Sequence, residues 1–290
     1  GVTTVSQTTQ AEFTPGLTNQ TAVTNMSGGE VQLAVSSRAE WNKQSFGYIA
    51  TGELGVDTDQ GYGAYEPSVA RDALNNTYVA YFRSGASYDV VVKKYSSLGI
   101  LDTSFGSQGI ARIDTHGIAT IPQVPQLVAD HTNGMYIVWI DGAAGDTHNK
   151  TIKAKRFTTD GIIDTSFGIN GLVLIGIASV SEGQTRPFSA GVDVADNLYV
   201  AWSGNRGATG LDILMRKYTA NGLLYDGASA SPAFGTVGEL IVSGLDQTQG
   251  DPVLALDGAG SLFVSFFSVG GSNQVLLKRF DSNGASVSSF

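Results

Sequence analysis

Apolar residues in this chain come in short runs, and the runs come in fours. One run carries an aromatic at each end: Tyr78-Val79-Ala80-Tyr81, Tyr136-Ile137-Val138-Trp139, Tyr199-Val200-Ala201-Trp202 and Phe263-Val264-Ser265-Phe266. Ahead of each, a proline opens another apolar stretch, at Pro67, Pro125, Pro187 and Pro252. Behind each comes a basic-aromatic pair and then a glycine at a fixed distance: Lys94-Tyr95 with Gly99, Arg156-Phe157 with Gly161, Lys217-Tyr218 with Gly222, Arg279-Phe280 with Gly284. A fourth run follows a Phe-Gly pair, as in Gly109-Ile110-Ala111-Arg112-Ile113 and Gly171-Leu172-Val173-Leu174-Ile175. Short β-prone runs bounded by Gly, Asn, Asp and Ser predict strands. No segment of ten or more residues shows a capped helical period, so the chain reads as all-β.

The runs belong to a repeat. Leu101-Asp102-Thr103-Ser104-Phe105-Gly106-Ser107-Gln108-Gly109 returns as Ile163-Asp164-Thr165-Ser166-Phe167-Gly168-Ile169-Asn170-Gly171. Phe-Gly stands at 46, 105, 167 and 234, and Phe290 falls on the same beat. A small four-stranded sheet cannot bury both faces alone, so successive units must pack on one another. Stacked around an axis they make a β-propeller of four-stranded antiparallel blades. The expected organisation is one domain, 1–290. Residues 52–290 are four tandem blades, and 1–51 are a degenerate first blade or a polar connector. Glu30 to Ser36 alternates like a strand, which favours five blades. The Gly start and the Phe290 end suggest a piece cut from something longer at a blade boundary.

Composition narrows the partners. A net charge of −9 disfavours nucleic acid and anionic membrane surfaces, which need basic patches. No apolar run is long enough to span a bilayer, so no membrane insertion is expected. With no cysteine, the chain has neither disulfides nor thiolate chemistry. The 37 glycines, with abundant Ser, Thr and Asn, point to an extracellular or cell-surface setting.

Most conspicuous residues read as scaffold. In the Asp-x-x-Phe-Gly-x-x-Gly signature, Asp102 and Asp164 cap a turn, Phe plugs between blades and Gly permits positive φ. The insertion from Gly227 to Ala233 keeps the Phe234 anchor and breaks the Asp spacing, as a structural role requires. The basic pairs Lys93-Lys94, Lys155-Arg156, Arg216-Lys217 and Lys278-Arg279 are expected to charge a strand edge against aggregation. Trp139 and Trp202 share a register with Tyr81 and Phe266 and are expected in the core. Trp41, without equivalents, reads as a partly exposed residue. Asp57 to Gly61 faintly resembles a calcium loop but lacks its third acid and its closing Glu. His116, His131 and His148 make no zinc pattern, and no cofactor or metal is expected. No nucleophile motif is present, so the chain is expected not to be an enzyme. Carboxylates such as Glu66 and Glu182 would form an axial pair only if distant blades brought them together.

The variable loops carry the candidate site. Taking the run after Phe-Gly as each blade's first strand puts the signature on the crossing between blades. The irregular loops then share the opposite end. They include Arg83 to Asp89, Asp141 to Lys150, Ser203 to Asp212 and Ser268 to Gln274. Binding tends to use variable loops on a rigid scaffold. Arg83, Tyr88, Asp146, His148, Asn205, Arg206 and Asn273 offer the mixture of aromatic face and forked polar groups that glycan or protein recognition uses.

The Leu-Asp-x-x-Phe-Gly-x-x-Gly beat, with its preceding basic-aromatic-x-x-x-Gly, resembles the delta-60 type of bacterial β-propeller repeat. The resemblance covers residues 46–290 and is strongest in the first two full copies. It implies a propeller in a large secreted or surface protein and supplies no catalytic residues. The expected role is an extracellular binding or adhesion module recognising a surface glycan or partner protein, as at a fibre tip. The alternatives are a propeller-type carbohydrate-active enzyme with an axial carboxylate pair, or a spacer that binds nothing.

Overall fold

A computed structural model describes the backbone of 22–27 and 30–35, residues 54–57, and residues 63–288 apart from 85–87, 115–124, 142–148, 180–186, 207–209, 245–247 and 271. The chain divides into two compact units, Gly1–Asp59 and Gln60–Phe290. In the first, β1 (Ala22–Ser27) and β2 (Glu30–Val35) form an antiparallel hairpin.

The second unit is a series of antiparallel sheets, each wound in chain order. The first holds β3 (Gly63–Arg71), β4 (Thr77–Ser84), β5 (Tyr88–Tyr95) and β6 (Ile110–Asp114). The second holds β7 (Gln126–Ala129), β8 (Met135–Asp141), β9 (Asn149–Phe157) and β10 (Val173–Ser179). The third holds β11 (Phe188–Val192), β12 (Leu198–Asn205), β13 (Leu211–Tyr218) and β14 (Glu239–Ser243). The last shows three strands among the described residues: β15 (Thr248–Leu256), β16 (Leu262–Val269) and β17 (Gln274–Phe280). The first strands of all four sheets line one cavity, so the sheets surround a common axis as propeller blades.

The blade frame expected from the sequence is one strand out. The run after Phe-Gly pairs with the basic run before it: Ile110 lies opposite Lys93, and Glu239 opposite Arg216. That run is therefore the fourth strand of its own blade. The signature is the turn between third and fourth strands, not the crossing to the next blade. The irregular loops still share one end, because the second connection and the crossing both lie there. The basic residues are corrected too. β5, β9 and β13 are covered by a fourth strand, so these side chains do not guard an edge. Lys94, Arg156 and Lys217 lie over the rings of Tyr78, Tyr136 and Tyr199, at 5.8, 5.5 and 5.1 Å from the ring centres. Lys94 and Arg156 also reach the signature acids Asp102 and Asp164, each at 3.2 Å.

Two turns recur at the end opposite the irregular loops. Between first and second strands, Asp72, Asp130, Asp193 and Asp257 each accept a hydrogen bond from the backbone N–H four residues on, at 2.7–2.9 Å. Positive φ falls on the residue before that donor, at Asn75, Asn133, Asp196 and Gly260, types that tolerate it. The signature turn docks on the following blade. The Gly106 N–H donates to the Asp160 carbonyl at 2.6 Å, and the Gly168 N–H to the Asn221 carbonyl at 2.8 Å. Phe105, Phe167 and Phe234 are buried, each edge-on to its own blade's Tyr78, Tyr136 or Tyr199. A Cβ on Gly161 would stand 2.8 Å from the Phe105 ring, so the next blade must offer bare backbone there. Trp139 and Trp202 are buried in the interblade cores, as their register required.

Candidate functional site

The axial cavity is the natural starting point. It holds about 390 Å³ and is lined by Pro67, Ser68 and Val69, by Pro125 to Leu127, by Phe188 and Ser189, and by Pro252 to Leu254. That volume is in the range of small-ligand sites. Its wall is tied by side chains that reach from one inner strand to the next. Ser68 accepts from the Leu127 N–H at 3.0 Å. Gln126 accepts from the Ala190 N–H at 2.8 Å and donates to the Ala190 carbonyl at 3.0 Å. Ser189 accepts from the Leu254 N–H at 3.0 Å. These bonds replace the backbone pairing that strands of different sheets cannot make, and so hold the cavity open at a fixed width.

Two acids stand at the loop end of this wall. Glu66 precedes Pro67 and Asp251 precedes Pro252, and both sit on β-bulges, between Tyr65 and Ser68 and between Gly250 and Val253. Their φ angles are 51° and 46°. Among the described residues eight non-glycine positions have positive φ. Asn75, Asn133 and Asp196 belong to the first recurrent turn, and Gln108, Asn170 and Val237 to the signature turn. Glu66 and Asp251 alone are in strands. A left-handed residue before proline is disfavoured twice, by its own Cβ and by the proline ring. Bulges and strained backbone gather at functional sites, where they re-aim a side chain. Both acids are partly exposed and neither lacks an interaction partner.

Polar groups continue outward from the mouth at the same end. Gln249, two residues before Asp251, is fully buried opposite Ser268. Asp212 is buried opposite Gly204, and Asp141 is ion-paired with Lys153. Buried polar side chains thus accompany the apolar core at this end, in places that do not recur from blade to blade. Among the described residues no group of three or more His, Asp or Glu is placed to hold a metal ion.

The loop residues singled out from the sequence are spread over this end. Arg83 is buried within β4 at 5% exposure, and Tyr88 opens β5. Asn205 closes β12, with Arg206 after it, and both are exposed, as is Asn273 before β17. None of them lines the cavity. Asp146, His148, Trp41 and Glu182 lie outside the described residues. Sequence reasoning reached Glu66 but missed Asp251. The signal was an acid directly before a repeat proline in two of the units.

No family model matches the chain, and no curated protein matches it either. Solved structures do. An α-L-arabinanase from Penicillium chrysogenum complexed with arabinobiose aligns at a TM-score of 0.51 and 10% identity, over 77% of this chain and 65% of the arabinanase. A protein of unknown function from Dyadobacter fermentans aligns at 0.48 and 11%, over 79% and 69%. A polysaccharide lyase described as an ulvan lyase aligns at 0.44 and 13%, over 76% of this chain and 56% of the lyase. The expectation that the chain is not an enzyme is thereby corrected. The fold is one that an arabinanase uses, and a missing nucleophile motif says nothing against paired carboxylates on separate blades.

Proposed function

We propose that this propeller is a carbohydrate-active protein that receives a glycan at the loop-end mouth of its axial cavity and cleaves it with Glu66 and Asp251 as the acid pair. The observation that carries the reading is their shared and costly placement. Among the described residues they are the two strand positions at positive φ, each directly before a proline of the cavity wall. Glycoside cleavage needs two carboxyl groups flanking the scissile bond, one to protonate the leaving oxygen and one to act on the sugar or a water. Glu66 and Asp251 hold matching bulge positions on the first strands of two different blades, so a pair can be assembled from segments far apart in sequence. Ser68, Gln126 and Ser189 add hydroxyl and amide groups to the wall, and Phe188 an apolar face. A glycan as partner suits an exported or surface-displayed protein, which the Gly-, Ser-, Thr- and Asn-rich composition supports.

The test is a panel of plant and algal polysaccharides incubated with the purified chain, with new reducing ends measured and products separated by size. Cleavage of at least one polymer is expected, with a loss of about 10²-fold or more in rate for Glu66→Gln and for Asp251→Asn. Retained glycan binding by those variants would confirm that the acids act on the bond. A chain that neither binds nor cleaves any polymer overturns the reading, as does cleavage that survives both substitutions.

A further inference from the structure

Four asparagines in the chain directly precede a glycine: Asn133-Gly134, Asn170-Gly171, Asn221-Gly222 and Asn283-Gly284. Such a pair is prone to an intramolecular reaction, because glycine has no side chain to shield its backbone nitrogen. In a folded chain the outcome depends on what that nitrogen is bonded to. In three of the pairs it is held. The Gly134 N–H donates to the Asp130 carboxylate at 2.7 Å, the Gly222 N–H to the Thr219 carbonyl at 2.8 Å and the Gly284 N–H to the Asp281 carbonyl at 3.0 Å. Among the described residues the Gly171 N–H has no acceptor.

The local fold explains the exception. Asn170 and Gly171 are the two central residues of a tight hairpin turn. The Ile169 N–H donates to the Leu172 carbonyl at 2.9 Å, and the Leu172 N–H donates back to the Ile169 carbonyl at 3.1 Å. Both central residues have left-handed backbone, with φ of 53° and 79°. This is the primed turn for which Asn-Gly is the preferred pair. Its two hydrogen bonds use only the flanking residues, so the N–H of the second central residue is left over. The first and third blades make the same turn, between Ser107 and Ile110 and between Thr236 and Glu239. They place Gln108 and Val237 before the glycine. Of the four asparagines, Asn170 alone stands before a glycine nitrogen with no bond to give up, and its side chain is exposed.

We propose that Asn170-Gly171 is a site of self-modification, where the chain deamidates and gains a carboxylate between the second and third blades. The Gly171 nitrogen gives its proton to base and bonds to the side-chain carbonyl carbon of Asn170. The side-chain nitrogen leaves as ammonia, and a cyclic imide remains. Water then opens the imide at either carbonyl. One opening gives aspartate; the other gives isoaspartate, with the backbone rerouted through the former side chain. No oxidant, enzyme or cofactor takes part. Asn170 lines a groove of about 660 Å³ together with Lys155, Leu174 and Arg216. Either product therefore adds a negative charge to a groove that carries two cations.

The test is incubation of the purified chain in mildly alkaline buffer made with heavy-oxygen water. Cleavage after Lys and Arg puts the four pairs on separate peptides. Conversion is read as the mass gain and the incorporated oxygen, and isoaspartate by enzymatic methylation. In the folded chain the Asn170 peptide is expected to convert at least about tenfold faster than the other three, each of which must first open its turn. In urea the four rates should draw together, because the reacting pair is the same. Equal rates in the folded chain, or the same ranking in urea, would each overturn the proposal. Asn170→Gln is the control, since the matching turn of the first blade already holds Gln108. That variant is expected to lose the first acidic form seen on ion exchange; an acidic form that arises at the parent rate would also overturn it.

Discussion

At the turn end of the blades the same contacts are made again and again. An aspartate bonds forward four residues, a basic side chain covers an aromatic ring, and a phenylalanine sits against the next blade's glycine. At the loop end almost nothing repeats. The connections differ in length, the buried polar groups Gln249, Asp212 and Asp141 have no common register, and two acids hold strand positions with left-handed backbone. The difference shows where each end is constrained. Groups that must fit a neighbouring blade are fixed by that neighbour, whereas groups facing the cavity mouth answer to whatever enters it.

Substitutions at the two ends should separate widely in stability. Phe167→Ala removes a buried ring from the joint between the second and third blades, and a loss of about 3–5 kcal/mol is expected in chemical denaturation. Gly161→Ala meets both a φ of +74° and the Phe105 ring, so a loss of about 1–3 kcal/mol is expected. Gln126→Ala breaks two hydrogen bonds across the cavity wall, and about 1 kcal/mol is expected in the same assay. Asn205→Ala and Asp251→Asn, at the loop end, should each stay within about 0.5 kcal/mol of the parent. A loop-end variant that destabilises as much as Phe167→Ala would erase the contrast.

A smaller effect sharpens it by pH. Hydrogen bonds from Ser104 and Ser166, helped by Lys94 and Arg156, hold the Asp102 and Asp164 carboxyls below their ordinary value, against the opposing effect of burial. A depressed folded-state pKa contributes stability that is present above the unfolded value, about 3.9, and is lost as pH falls through the folded one. Asp102→Asn with Asp164→Asn should therefore flatten the fall of the melting temperature below about pH 4. An unchanged acid limb would show that the signature acids do not take part.

What the sequence made legible was what it repeats. Phe105, Phe167, Phe234, Trp139 and Trp202 declared their burial by returning at matched positions. The strand frame did not declare itself, because a periodic chain carries no mark of where one sheet stops. Only the pairing of Ile110 with Lys93 shows it. The Asp72, Asp130, Asp193 and Asp257 turns were passed over as polar separators, since their bonds run to backbone N–H groups of varied residues. Asp251 stayed hidden for another reason. Its significance lies in a φ angle and in a partner blade far away in sequence, and neither can be read from residue type.

The placement of the phenylalanine plug has a consequence for how the chain is made. Each plug is donated by one blade and finished by the turn of the next, some 55 residues later, as Phe105 is by Gly161. As synthesis proceeds from the N-terminus, every completed sheet waits for its successor with one apolar face uncovered. Each plug can thus be completed as soon as the blade that follows it has formed. The uncovered face of the newest blade is then where a growing chain is most open to aggregation.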